Sequence, residues 1–121
     1  MAEDYQMPKG DLMRGKRGVI TGVANHQSIA WGISAQLAAQ GAELALGYME
    51  MNEKRVKPLG ESIGVKAYAT FDASQPGSIA AAFETVAQTF PTIDFLVHAI
   101  GFAERSQIGG SFVEKDRKSV V

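Results

Sequence analysis

A chain of 121 residues is one domain at most, or part of one, and 45% apolar with 21% charged residues reads as globular and not disordered. The formal net charge of −1 gives no reason to expect nucleic acid or an anionic membrane as partner, and the absence of Cys excludes disulfides and thiolate metal sites. No apolar run approaches the roughly 20 residues that cross a bilayer, and Met1–Lys16 carries Glu3, Asp4 and Asp11 in place of a secretory signal's apolar stretch, so a cytoplasmic protein is expected.

Residues 1–16 carry Pro8, Gly10 and Gly15 without periodicity and read as a flexible leader. Arg17–Thr21 is a short β-branched run ending at Gly22, a buried strand by length and flank. Ser28 to Gln40 repeats apolar or small residues at Ile29, Trp31, Ile33, Leu37 and Ala38, which predicts a helix with Ser28 as N-cap and Gly41 just past its end. Trp31 is expected in its packing face.

Glu43–Tyr48 reads as the second strand and Glu50–Ile63 as a second, more polar helix. Pro58 should kink or restart that helix. Val65–Phe71 is the third strand, Asp72 to Gly77 is turn chemistry, and Ser78–Phe90 is a third helix closed by Pro91. Phe95–Ala99 is the fourth strand. Strands alternating with helices imply right-handed crossovers and a parallel sheet, an α/β architecture of about four strands and three helices; chance alternation in a mixed α+β domain is the alternative.

The first strand-to-helix junction runs from Thr21 to Gly32 as TGVANHQSIAWG. Holding a phosphate there needs a glycine for the sharp turn, free amides at a helix start, and small residues for close helix–strand approach. Gly22 meets the first need, Ser28 offers a cap and a hydroxyl, and Ala30 and Gly32 meet the third. The Gly-x-Gly-x-x-Gly spacing is absent. By spacing alone, a glycine turn before an ordinary capped helix explains the segment equally well.

Gly22 with Ser28-Ile29-Ala30-Trp31-Gly32, the Phe71-Asp72-Ala73 block, and His98-Ala99-Ile100-Gly101-Phe102-Ala103 after strand four stand in order. Together they resemble the enoyl-[acyl-carrier-protein] reductases, a divergent branch of the short-chain dehydrogenase/reductase superfamily. The resemblance runs from about Arg14 to Phe112. It implies a Rossmann-like, doubly wound sheet, of which residues 17–112 would be the N-terminal part of one NAD-binding domain.

The same resemblance implies roles. Gly22, Val23 and Ala24, with Ser28 and Ile29, would hold the pyrophosphate and adjacent ribose. Asp72 would accept from the adenine amino group with Ala73 against the ring, although Asp at a strand exit also serves as a turn-capping carboxylate. Ala99, Ile100 and Gly101 would pass beneath the nicotinamide ribose, and Phe102 and Ala103 would edge toward the acyl pocket. His98 is expected to be structural; His26 is assigned nothing.

Cofactor choice follows from the residues after strand two, where an acidic or neutral group suits a ribose 2′-hydroxyl and a base suits a 2′-phosphate. Tyr48-Met49-Glu50-Met51-Asn52 has no base until Lys54, which points to NADH before NADPH. Relatives often place Gln or another uncharged side chain where Met49 stands. Met offers no strong hydrogen bond; Glu50 either substitutes or faces solvent.

The resemblance further implies reduction of a trans-2-enoyl group on acyl carrier protein by hydride transfer in fatty-acid biosynthesis. It also implies a homotetrameric full-length protein and no nucleic-acid or membrane partner. The family's Tyr-x6-Lys pair is not found: Tyr5, Tyr48 and Tyr68 are followed seven positions on by Leu12, Arg55 and Gln75. Tyr5 and Lys9 match the Tyr-x3-Lys of ordinary relatives only by spacing, with Pro8 between them. The catalytic pair is therefore expected beyond residue 121, the fragment is expected to be inactive, and residues 113–121 are expected to be non-native or disordered. A ketone or alcohol oxidoreductase and a non-catalytic nucleotide-binding module are the competing readings.

Overall fold

The computed structural model describes residues 8–72 and 74–100. Within them, four parallel strands form one sheet in the order β3-β2-β1-β4: β1 (Arg17–Thr21), β2 (Glu43–Tyr48), β3 (Ala67–Thr70) and β4 (Phe95–His98). Register pairs Val19 with Ala45 and with Leu96, and Leu46 with Tyr68. Helices α1 (Ile29–Ala39), α2 (Glu53–Ser62) and α3 (Ser78–Ala87) are the crossovers.

Side chains alternate across a strand, so each strand feeds two layers. Ile20, Leu44, Leu46 and Tyr48 pack with Val23, Ala30 and Val56 beneath α1 and α2. Val19, Ala45, Ala67 and Ala69 pack with Ala82, Val86 and Phe90 beneath α3. Burial on both faces explains why β1 and β2 read as continuous apolar runs rather than alternating ones. Trp31 lies partly buried against the first layer, as its place in the helical repeat suggests.

Helix α1 ends where Gly41 takes φ +95, open to glycine at low cost, while the Ala42 amide bonds the Leu37 carbonyl at 3.1 Å and the Gly41 amide that of Ala38 at 3.0 Å. Part of the segment read as a leader is tied here: Gly10 donates to the Ala39 carbonyl at 3.0 Å and Met13 to that of Gln40 at 2.8 Å.

The second helix departs from expectation. The helical path changes before Glu53, after a single 3-10 turn over Glu50–Asn52, and α2 then runs through Pro58 without restarting. Proline deprives only the Lys54 carbonyl of its helical donor, and both residues lie on the exposed face where water replaces that bond. α3 also stops earlier than Phe90; the Phe90 amide still reaches the Val86 carbonyl at 2.8 Å, carrying its ring into the core.

Candidate functional site

In a parallel sheet all strands finish on the same edge, so the loops after β1, β2, β3 and β4 gather there. The chain runs outward from β1 through β2 to β3, then crosses to the other side of β1 for β4. That reversal makes the carboxyl end of β1 a topological switch point, where loops on either side diverge and leave a crevice.

The loop leaving β1 is fixed by its own backbone chemistry. Gly22 has φ +99, and a Cβ there would fall on the Ala99 carbonyl; its amide bonds the Gly47 carbonyl at 3.1 Å. Both the dihedral and the close approach therefore demand glycine. Val23 is 1% exposed and sits in the core, leaving only its backbone to face a ligand.

Ser28 is the N-cap residue of α1, in extended conformation, but its hydroxyl makes no bond to the helix amides. Instead Ser28 Oγ accepts the amides of Ala24 at 3.0 Å and Asn25 at 3.1 Å. The expected side-chain cap is thus replaced by a brace on the preceding loop, and the Ala24 amide is occupied. Asn25 Oδ1 accepts the Gln27 amide at 2.8 Å, completing a self-bonded turn. A serine oxygen has two lone pairs, and with both engaged its O–H remains to donate outward. Among the described residues, the first-turn amides of Ile29 and Ala30 have no protein acceptor, as expected at a helix start. The Ile29 and Ala30 amides and the Ser28 hydroxyl thus lie at the positive end of α1, where Ile29 is exposed and Ala30 is 1% exposed.

A second feature lies beyond β2 and β3. Met49, Glu50 and Met51 face Thr70, Phe71, Asp72 and Ser78 across a cavity of about 300 Å³. Asp72 Oδ1 accepts the Ser74 hydroxyl at 2.6 Å and the Ser74 amide at 2.9 Å. The Ser74 hydroxyl, followed by its amide, holds the Asp72 carboxyl below its ordinary value. The Asp72 amide donates to Ser78 Oγ at 2.8 Å, pinning the turn to α3. The turn-capping role of Asp72 is therefore present, and among the described residues its Oδ2 accepts no hydrogen bond.

A family model described as enoyl-(acyl carrier protein) reductase matches residues 22–120. The chain belongs to this family. Among curated enoyl-(acyl-carrier-protein) reductases, the NADH-named enzyme 2 of Rhizobium meliloti (strain 1021) is 45% identical over 107 residues, spanning 88% of this chain and 40% of that protein. The crystal structure of the Anaplasma phagocytophilum reductase in complex with NAD superposes with a TM-score of 0.84 at 43% identity, covering 94% of this chain and 44% of that one. The Bacillus cereus reductase, crystallised with NADP+ and indole naphthyridinone, gives a TM-score of 0.80 at 36% identity, covering 90% and 44%. The chain spans about 40% of the length of the curated reductase it matches. These reductases share the parallel sheet, which confirms the α/β, Rossmann-like expectation.

The structure brings Gly22, Val23, Ala24, Ser28 and Ile29 together at one corner of this reductase-family chain, and Met49 and Asp72 across one cavity. Ala99 follows β4 and presses its carbonyl toward Gly22; Ile100 lines a separate apolar cavity of about 120 Å³ with Leu96, His98 and Phe83. Ala73, Gly101, Phe102 and Ala103, and the tail 113–121, lie outside the described residues. His98 is exposed at the end of β4, and among the described residues its side chain makes no hydrogen bond. Sequence reasoning passed over Asn25, Thr70, Met51 and Ser78. The Asn25-x-x-Ser28 spacing, two side chains that bond nearby backbone, was the readable signal for the first.

Proposed function

We propose that this chain forms the NADH-binding part of an enoyl-[acyl-carrier-protein] reductase that reduces trans-2-enoyl to acyl groups on acyl carrier protein in the cytoplasm, and that the full-length protein is a homotetramer. The carrying observation is the pair of first-turn amides, Ile29 and Ala30, beside the outward-donating Ser28 hydroxyl at the sheet's switch point. Three donors at a helix N-terminus suit a pyrophosphate, and no cation is needed to recognise it.

The remaining residues fit the rest of a dinucleotide. The cavity between Met49 and Asp72 has a carboxylate oxygen for an adenine amino group, while Met49, Met51 and Phe71 offer apolar contact to the ring. Glu50 in its wall suits ribose hydroxyls and repels a 2′-phosphate. Arg55 donates to Asn52 Oδ1 at 2.7 Å, which ties the guanidinium to its own loop. These features favour NADH over NADPH, as the NAD in the Anaplasma structure also does, while the Bacillus enzyme's NADP+ shows that the fold accommodates either.

When bound, the nicotinamide supplies a hydride. This chain's residues would bind and orient: Gly22 admits the approach of the Ala99 carbonyl, and the Ala99–Ile100 segment would carry the nicotinamide ribose. Titration of NADH and NADPH against the intact protein, with crotonyl-thioester turnover as readout, tests the reading. NADH-dependent reduction is expected; binding of neither dinucleotide overturns it.

A further inference from the structure

Neither Tyr48 nor Glu53 lines the adenosine-sized cavity, yet together they fix both ends of its wall. Tyr48 closes β2 at 2% exposure, and its hydroxyl donates to Glu53 Oε1 at 2.9 Å. Glu53 opens α2 and also faces Lys57 Nζ at 3.7 Å. Between them, Met49 to Asn52 make a single tight turn closed by the Asn52 amide on the Met49 carbonyl at 2.8 Å. Three of these residues, Met49, Glu50 and Met51, form one side of the cavity.

Packing does little to hold that turn: Met49 is 48% and Met51 75% exposed. Tyr48, in contrast, is held firmly, with the Tyr68 ring edge-on at a centroid distance of 6.4 Å. A rigid phenol thus reaches across a loosely packed segment and grips the first residue of the next helix.

We propose that the Tyr48–Glu53 hydrogen bond positions the adenosine end of the cofactor, by holding Met49 to Asn52 in the conformation that sets Met49 against the adenine ring and Glu50 against the ribose. This rests on the reading that the cavity takes a dinucleotide's adenosine. Both are positioning residues, since neither touches the ligand. Cutting the bond frees the turn to sample other conformations. Ligand then binds only the competent fraction, and the apparent Kd rises by the inverse of that fraction, roughly tenfold if one molecule in about ten stays competent.

The test uses the intact protein, with NADH titrated by fluorescence and thermal unfolding followed in parallel, for Tyr48→Phe, Glu53→Ala, Glu53→Gln and the Tyr48→Phe/Glu53→Ala pair. Phe keeps the ring packing, and Gln keeps an acceptor for the phenol. Tyr48→Phe and Glu53→Ala should each raise the Kd for NADH roughly tenfold, the double variant no further, because one bond is lost in all three. Glu53→Gln should stay within about twofold of wild type, and in Tyr48→Phe and Glu53→Ala the KM for NADH should rise while KM for the enoyl thioester holds. Unchanged NADH affinity in Tyr48→Phe and Glu53→Ala, with or without a lowered Tm, overturns the inference while wild-type binding leaves the proposed function standing. Absence of NADH binding by wild type overturns both.

Discussion

The α-carbon of Gly22 faces the carbonyl of Ala99 so closely that any β-carbon would land on it. This contact joins the exits of β1 and β4, the two strands that flank the switch point, and sets the width of the crevice between their loops.

Gly22→Ala meets two penalties at once, a side chain at φ +99 and a clash with immovable backbone. Strain of this kind costs of order 1–3 kcal/mol before the clash is counted. Urea denaturation should show a loss of at least that size, and NADH affinity should fall with it. A variant as stable as wild type would mean that the loops part easily.

Ser28→Ala deletes the acceptor for the Ala24 and Asn25 amides together with the outward hydroxyl. Loss of a cap-position hydroxyl costs about 1 kcal/mol, and one lost donor to a phosphate weakens binding roughly tenfold. Ser28→Thr keeps the hydroxyl and should recover most of both. Denaturant midpoints and NADH titration measure the two effects separately.

Asp72 separates turn from ligand. Asp72→Asn retains a carbonyl oxygen for Ser74 but can no longer offer two acceptor oxygens, so the turn should persist while NADH binding weakens several-fold. Its folded carboxyl titrates below the unfolded one, so the turn's contribution is complete above the unfolded value, roughly pH 4, and is lost as pH falls through the lower folded value. An amide signal of Ser74 followed from pH 5 to pH 2 should move over that window, and stay still in Asp72→Asn.

Glu50 gives the cofactor preference a handle. Glu50→Arg replaces a carboxylate in the cavity wall by a guanidinium able to pair with a 2′-phosphate. NADPH affinity relative to NADH should rise roughly tenfold or more. Paired titrations decide it; an unchanged ratio would place the ribose elsewhere.

Strands β1 and β2 were readable to the residue because both faces are buried and each holds an unbroken apolar or β-branched stretch, Val19–Thr21 in one and Leu44–Leu46 in the other. Gly41 was readable because a helix end that needs a positive φ selects glycine. Pro58 misled because the cost of proline depends on where the orphaned carbonyl points, which periodicity does not reveal. Ser28 does stand at the N-cap of α1, but its hydroxyl was not readable. Residue type announced a cap, yet whether the hydroxyl turns forward onto the helix or back onto Ala24 and Asn25 is decided by the path of a seven-residue loop, Gly22 to Ser28. Tyr48 had no signal at all, since its partner Glu53 is defined only once the intervening turn is closed.

The most direct measurement is a crystal structure of the intact protein with NADH. The pyrophosphate oxygens should lie within hydrogen-bond distance, about 2.7–3.2 Å, of the Ile29 and Ala30 amides and the Ser28 hydroxyl, with Ser28 Oγ still accepting from Ala24 and Asn25. A dinucleotide bound with its phosphates elsewhere, and the start of α1 facing only water, would contradict the account.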